Sequence, residues 1–126
     1  MEPLGAELLE PVPGVGVLVL VGDAGPLEAS DIADSVRIAG EGRRALVVDL
    51  ARFRTADPAI AEILLDAARA ARVDRRSLHV VLPASSPLAG VLRTSGLGAP
   101  LDLHEGRDSA VRAATAEARR TAPDDC

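Results

Sequence analysis

His79 and His104 are the only 2 histidines in the chain, so a metal centre or a general base of the usual kind has to be built on one of them. His79 lies inside the run Ser77-Leu78-His79-Val80-Val81-Leu82, and His104 follows Leu101-Asp102-Leu103. Neither stands at metal-ligand spacing from another His, a Cys or a carboxylate pair, so both read as structural or surface residues and no metal is expected. Asp31 with Asp34, and Glu62 with Asp66, are spaced to share the wet face of a helix, which is not the arrangement of an acid–base pair. Gly14-Val15-Gly16 and Gly96-Leu97-Gly98 are fragments of glycine-rich patterns that complete no dinucleotide fingerprint and read as a turn and a helix stop. All 14 basic residues are Arg, and without Lys the chain can form no Schiff base and fill no P-loop lysine position. No convergent acid, base and nucleophile can be named, so the expectation is a protein that is not an enzyme and needs no cofactor.

One carboxylate differs from the rest. Asp57 falls where a buried strand has ended and a long helix begins, the place where α/β proteins put working groups. Its carboxylate can accept a free backbone N–H of the first helical turn, and Pro58 suits the first helical position because its φ is already helical. Pro58 to Arg72 reads as the helix. Glu62, Asp66 and Arg69 form its wet stripe, while Ile60, Leu64, Ala67 and Ala71 form a small aliphatic face, with Ile63 beside it, suited to a sheet.

Strands and helices on either side must position this junction. Ala6 to Glu10 reads as a short edge strand, and Pro11-Val12-Pro13-Gly14 folds the chain back into Val15 to Val21, a continuous apolar run of central-strand length. After the loop Gly22 to Pro26, Ser30 is placed to cap a helix that runs to Ala39 and stops at Gly40, with Ile32, Val36 and Ala39 inward. Ala45 to Leu50, apolar except for Asp49, and Ser77 to Leu82 are further strands. Ser86-Pro87 repeats the cap-plus-proline device and opens a short helix that Gly96 ends. Leu101 to Leu103 is a brief strand, and Ser109 to Arg120 is a helix whose inward face rests only on residues such as Val111 and Ala114. Thr121 to Cys126 reads as a frayed tail, residues 121–126, after a single domain over 1–120. Alternating strands and helices at this spacing predict an α/β fold with a mostly parallel sheet.

Composition narrows the partners. A chain of 126 residues buries about two-thirds of its unfolded surface around one core. Phe53 is the only aromatic residue and the formal charge is −5, so both base stacking and a cationic face for phosphates are lacking and no nucleic-acid partner is expected. Cys126 is the only cysteine, which leaves no internal disulfide and fits a cytoplasmic location. Met1 to Pro13 has neither a basic n-region nor a long apolar run, so no signal peptide or membrane insertion is expected.

Over about residues 6 to 118 the sequence resembles a STAS domain, the fold shared by bacterial anti-sigma factor antagonists, stressosome subunits and the cytoplasmic ends of sulfate transporters. The strand closing on Gly22, the strand Leu46-Val47-Val48-Asp49-Leu50, Asp57 opening the second helix, the Val-Val-Leu-Pro strand and Val91-Leu92-Arg93-Thr94-Ser95-Gly96-Leu97 carry the likeness by their order and spacing. The resemblance implies one STAS-like domain with a mixed, mostly parallel sheet of four or five strands and about four helices. In that family the residue after the Asp is usually Ser or Thr, and an anti-sigma kinase phosphorylates it to switch partner binding off. Here that residue is Pro58, which has no hydroxyl, followed by Ala59. The family's Gly-Glu-Leu-Asp is Gly22-Asp23-Ala24-Gly25 here, so Gly25 stands where the last Asp would be. The function implied is that of a non-catalytic interaction module that regulates transcription by docking a protein through Asp23, Gly25, Ser30, Asp57, Ala59 and Ile60, without the usual switch. The partner class is an anti-sigma factor kinase or another STAS protein. A structural subunit of a larger assembly and a small-ligand binder are the alternatives. Thr55, Ser85 and Ser86 are other hydroxyls near strand ends open to phosphorylation.

Overall fold

The apolar runs are buried on both sides in the computed structural model, which describes residues 3–55, 57–95 and 101–120. Strands β1 (Gly5–Val12), β2 (Val15–Gly22), β3 (Ala45–Phe53), β4 (Ser77–Val81) and β5 (Asp102–His104) form one sheet in the order β1-β2-β3-β4-β5. β1 and β2 are an antiparallel hairpin, and every later pairing is parallel. The hairpin turns at Gly14, whose φ of +83° lies in the left-handed region that glycine enters without a steric penalty. Helices α1 (Ala29–Gly40), α2 (Pro58–Val73), α3 (Pro87–Ser95) and α4 (Arg107–Arg120) complete the α/β fold.

Side chains alternate along a strand, and the core divides accordingly. Leu46, Val48 and Leu50 of β3 pack with Leu18, Leu20, Val80 and the inner faces of α1, α2 and α3. Ala45 and Val47 point the other way, with Val15, Val17 and Val81, and there they meet Ala110, Ala114 and Ala118 of α4. Three alanines bury little area, so α4 needs more than apolar contact to stay in place. Asp49, on the same side of β3 and only 4% exposed, supplies some of it. Its Oδ2 accepts from Arg107 Nε at 2.7 Å and its Oδ1 from Ala51 N at 3.0 Å.

The structure moves several boundaries. β1 runs from Gly5 to Val12, and β3 continues past Leu50 to Phe53 because, beyond a register shift after Val19, β2 still pairs Val21 with Arg52 and Gly22 with Phe53. β5 starts one residue late, at Asp102, set by its pairing with His79. Helix α4 opens at Arg107, two residues before Ser109. Ser30 does not cap α1: the helix starts at Ala29, with Glu28 at the cap position and no side-chain capping bond. Glu28 instead turns its carboxylate back to accept from Gly25 N at 2.8 Å, closing the loop two residues before the serine. Ser86 does not cap α3 through its hydroxyl either, for its Oγ is buried without a hydrogen-bond partner among the described residues. Gly96-Leu97-Gly98 and the tail 121–126 lie outside the described residues.

The Asp49–Arg107 pair gives a test of how α4 is held. Arg107→Ala leaves a buried carboxylate with one backbone donor, and urea unfolding should show a loss of about 1–3 kcal/mol.

Candidate functional site

β2 and β3 end side by side, and their exits are tied together. Arg54 N donates to Gly22 O at 2.9 Å. Gly22 has φ +94°, a left-handed turn that sends the chain away from the sheet toward α1. Thr55, only 5% exposed, donates its hydroxyl to Ala24 O at 2.6 Å and accepts from Asp57 N at 3.2 Å. One buried hydroxyl therefore joins the β2–α1 loop to the start of α2.

Asp57 has the extended backbone of an N-cap, φ −73° and ψ 125°, and its Oδ1 accepts from Ala59 N at 2.9 Å. Pro58 follows as the first helical residue, and the missing N–H costs nothing there because first-turn donors have no partner inside the helix. The cap expected at Asp57-Pro58 is present in full.

Around this knot the structure gathers most of the residues assigned to a docking surface. Asp23 and Gly25 are half-buried in the β2–α1 loop, Ser30 is exposed in the first turn of α1, Asp57 and Ala59 are half-buried, and Pro58 is exposed. Ile60 is the exception and is corrected: it is fully buried beneath α2 in the main core, so it anchors the helix and presents nothing to a partner. The pattern that puts Ile60 on the same face as Leu64 already points inward. Sequence reasoning missed Leu27, which is 92% exposed in the loop that leads into α1. Its signal is a large apolar side chain in a Gly-Pro-Leu-Glu loop, off any helical stripe.

Of the other hydroxyls, Thr55 is buried and engaged on both sides, Ser85 is exposed, and the Ser86 Oγ is buried. Ser85 and Ser86 border a cleft of about 370 Å³ with Arg52, Phe53, Arg54 and Pro83, at the carboxyl ends of β3 and β4.

The histidines come together on the other side of the sheet. Parallel register pairs His79 with Asp102 and Val81 with His104, so both imidazoles lie on the α4 face. His79 Nδ1 is 3.1 Å from His104 Nε2, and His104 Nδ1 is 2.9 Å from Ser109 Oγ on α4. Desolvation, and then the neighbouring His79, push the His104 pKa below the ordinary histidine value, against Asp102 and Glu117, which raise it. Linear spacing gives no sign of this contact, because residues 25 apart meet only through the strand pairing.

Comparisons with known proteins agree with this architecture. Residues 10–105 match the family described as "Mlab, STAS domain". An anti-sigma factor antagonist from Mycobacterium paratuberculosis is similar in structure, with a TM-score of 0.72, 19% identity, and coverage of 90% of this chain and 95% of that one. The Bacillus cell fate determinant SpoIIAA in its phosphorylated form gives a TM-score of 0.60 at 18% identity, covering 86% of this chain and 99% of its own. SpoIIAA in its unphosphorylated form gives 0.66 at 15% identity, covering 86% and 96%. No curated protein matches. At these identities the solved structures show the shared fold.

The knot at Thr55 and Asp57 makes a graded prediction for urea unfolding. Asp57→Ala should cost about 1 kcal/mol, and Asp57→Asn, which keeps the acceptor, should cost less. Thr55→Val removes a donor and an acceptor at once and should cost about 1–3 kcal/mol.

Proposed function

The chain belongs to the STAS family, and we infer from this membership that it is a non-catalytic interaction module that regulates transcription by docking a protein partner in the cytoplasm. The partner class that fits is an anti-sigma factor kinase, since the solved neighbours are named as anti-sigma factor antagonists. The docking surface is the end of the molecule where β2 and β3 close, built from Asp23, Gly25, Ser30, Asp57 and Ala59. The observation that carries the reading is Leu27: a leucine 92% exposed on a loop fastened by Thr55 to the start of α2 is the kind of apolar anchor that partner surfaces use.

Pro58 sets the state of this surface. In the resemblance it occupies the phosphoacceptor position, where phosphate would add about −1.5 to −2 charges at the helix start beside Asp57. A proline accepts no phosphate, so docking is constitutive or is controlled through another residue, of which exposed Ser85 is the most accessible.

A second reading, a subunit of a larger assembly, draws on β1. It is an edge strand with Leu8 41% and Leu9 37% exposed, and an open strand edge can pair with another chain.

Calorimetric titration against the anti-sigma kinases of the host separates these. Docking predicts binding that Leu27→Arg weakens about tenfold or more with no change in melting temperature. It also predicts that Pro58→Ser becomes a substrate for the bound kinase and ATP while the parent chain gains no phosphate at positions 57–60. If no host kinase binds, and light scattering finds this chain in an assembly that Leu8→Arg disrupts, the second reading replaces the first.

A further inference from the structure

The polar cluster under α4 has a geometry that the docking role does not use. His79 is 1% exposed, and among the described residues its buried Nε2 has no hydrogen-bond partner, although Glu117 Oε2 on α4 is only 3.3 Å away. Nitrogen and oxygen are thus close without being aimed at one another. Asp102, the strand neighbour of His79, brings a third donor: one ligand atom from each of His79, Asp102 and Glu117 lie within 4.8 Å of one another. Ligand atoms around a tetrahedral zinc, with bonds of about 2.0–2.2 Å, sit about 3.3–3.6 Å apart. The His79–Glu117 separation already has that value.

The hydrogen bonds behind His79 fit a ligating imidazole. When His104 donates from Nδ1 to Ser109 Oγ, its Nε2 lone pair accepts the His79 Nδ1–H, and His79 Nε2 is left as a bare lone pair 3.3 Å from a carboxylate oxygen. A lone pair and a carboxylate oxygen repel unless a cation lies between them. In the opposite tautomer Nε2 carries a proton, and that proton is not aligned on Glu117. A metal-bound histidine ordinarily has its second nitrogen held by a hydrogen bond in this way, and here His104 provides the hold. The mixed imidazole and carboxylate donors suit a divalent transition ion of the zinc type.

We propose that His79, Asp102 and Glu117 bind a divalent transition-metal ion such as Zn²⁺, with His104 as a positioning residue, so that the ion fastens α4 to β4 and β5. Asp102 is exposed and Glu117 is half-buried, which leaves the ion a way in from solvent. Glu117 also lies 3.9 Å from Arg120, a contact that metal binding would weaken. The proposal is independent of the docking surface at the far end of β2 and β3.

The test uses the tag-free chain carrying Cys126→Ser, which removes an alternative thiol ligand, stripped with chelator and titrated with ZnCl₂ by calorimetry. One equivalent of Zn²⁺ should bind and raise the melting temperature. Asp102→Asn and Glu117→Gln, both close in shape to the originals, should each weaken binding at least about tenfold, and His104→Gln about 10–100-fold as expected for the loss of a supporting partner. Co²⁺ in place of Zn²⁺ should give the visible absorption of a four-coordinate ion, lost in Glu117→Gln. Failure of the parent to take up Zn²⁺, or uptake unchanged in both Asp102→Asn and Glu117→Gln, overturns the proposal.

Discussion

The parallel register of β2, β3 and β4 is the constraint on which the other features of the structure depend. It buries β3 on both faces, so alternate residues must serve two different layers. Leu46, Val48 and Leu50 go to the side of α1, α2 and α3, and Ala45, Val47 and Asp49 to the side of α4. The same register aligns the exits of β2 and β3, where Gly22 and Arg54 bond, and so decides that the loop carrying Leu27 stands beside the start of α2. A one-residue slip would turn Asp49 into the main core and break both arrangements.

The two faces are held by different physics. Under α1, α2 and α3 the core is Leu and Ile at full burial, where closely packed aliphatic area supplies the stabilisation. Under α4 the buried apolar contribution of the helix is three alanines with Val111 at their edge, and their small size draws the helix close enough for Arg107 to reach Asp49 and Glu117 to approach His79. Polar contacts there decide orientation, and breaking one costs more than the area figures indicate, since the partner left behind is buried.

Much of this is legible in the sequence, for identifiable reasons. The β2, β3 and β4 runs are plain because two-sided burial demands unbroken apolar sequence, and the Asp57-Pro58 start is plain because a cap and an N1 proline are local chemistry. The Ser30 cap fails because the helix already begins at Ala29, which puts the serine inside the first turn, and the Ser86 hydroxyl is buried without reaching the first-turn donors of α3. Likeness to a family puts Ile60 on a surface although its own periodicity puts it inside. The His79–His104 contact is a product of strand pairing, which no local window contains.

The central claim is that the end of the molecule at Leu27, Asp57 and Pro58 is a docking face fixed in its unmodified state. Hydrogen–deuterium exchange of the chain with and without a bound anti-sigma kinase measures this directly. The account predicts slowed exchange over residues 23–31 and 57–63, with α4 unchanged. Protection confined to α4 or β1, with 23–31 and 57–63 exchanging as in the free chain, would contradict it.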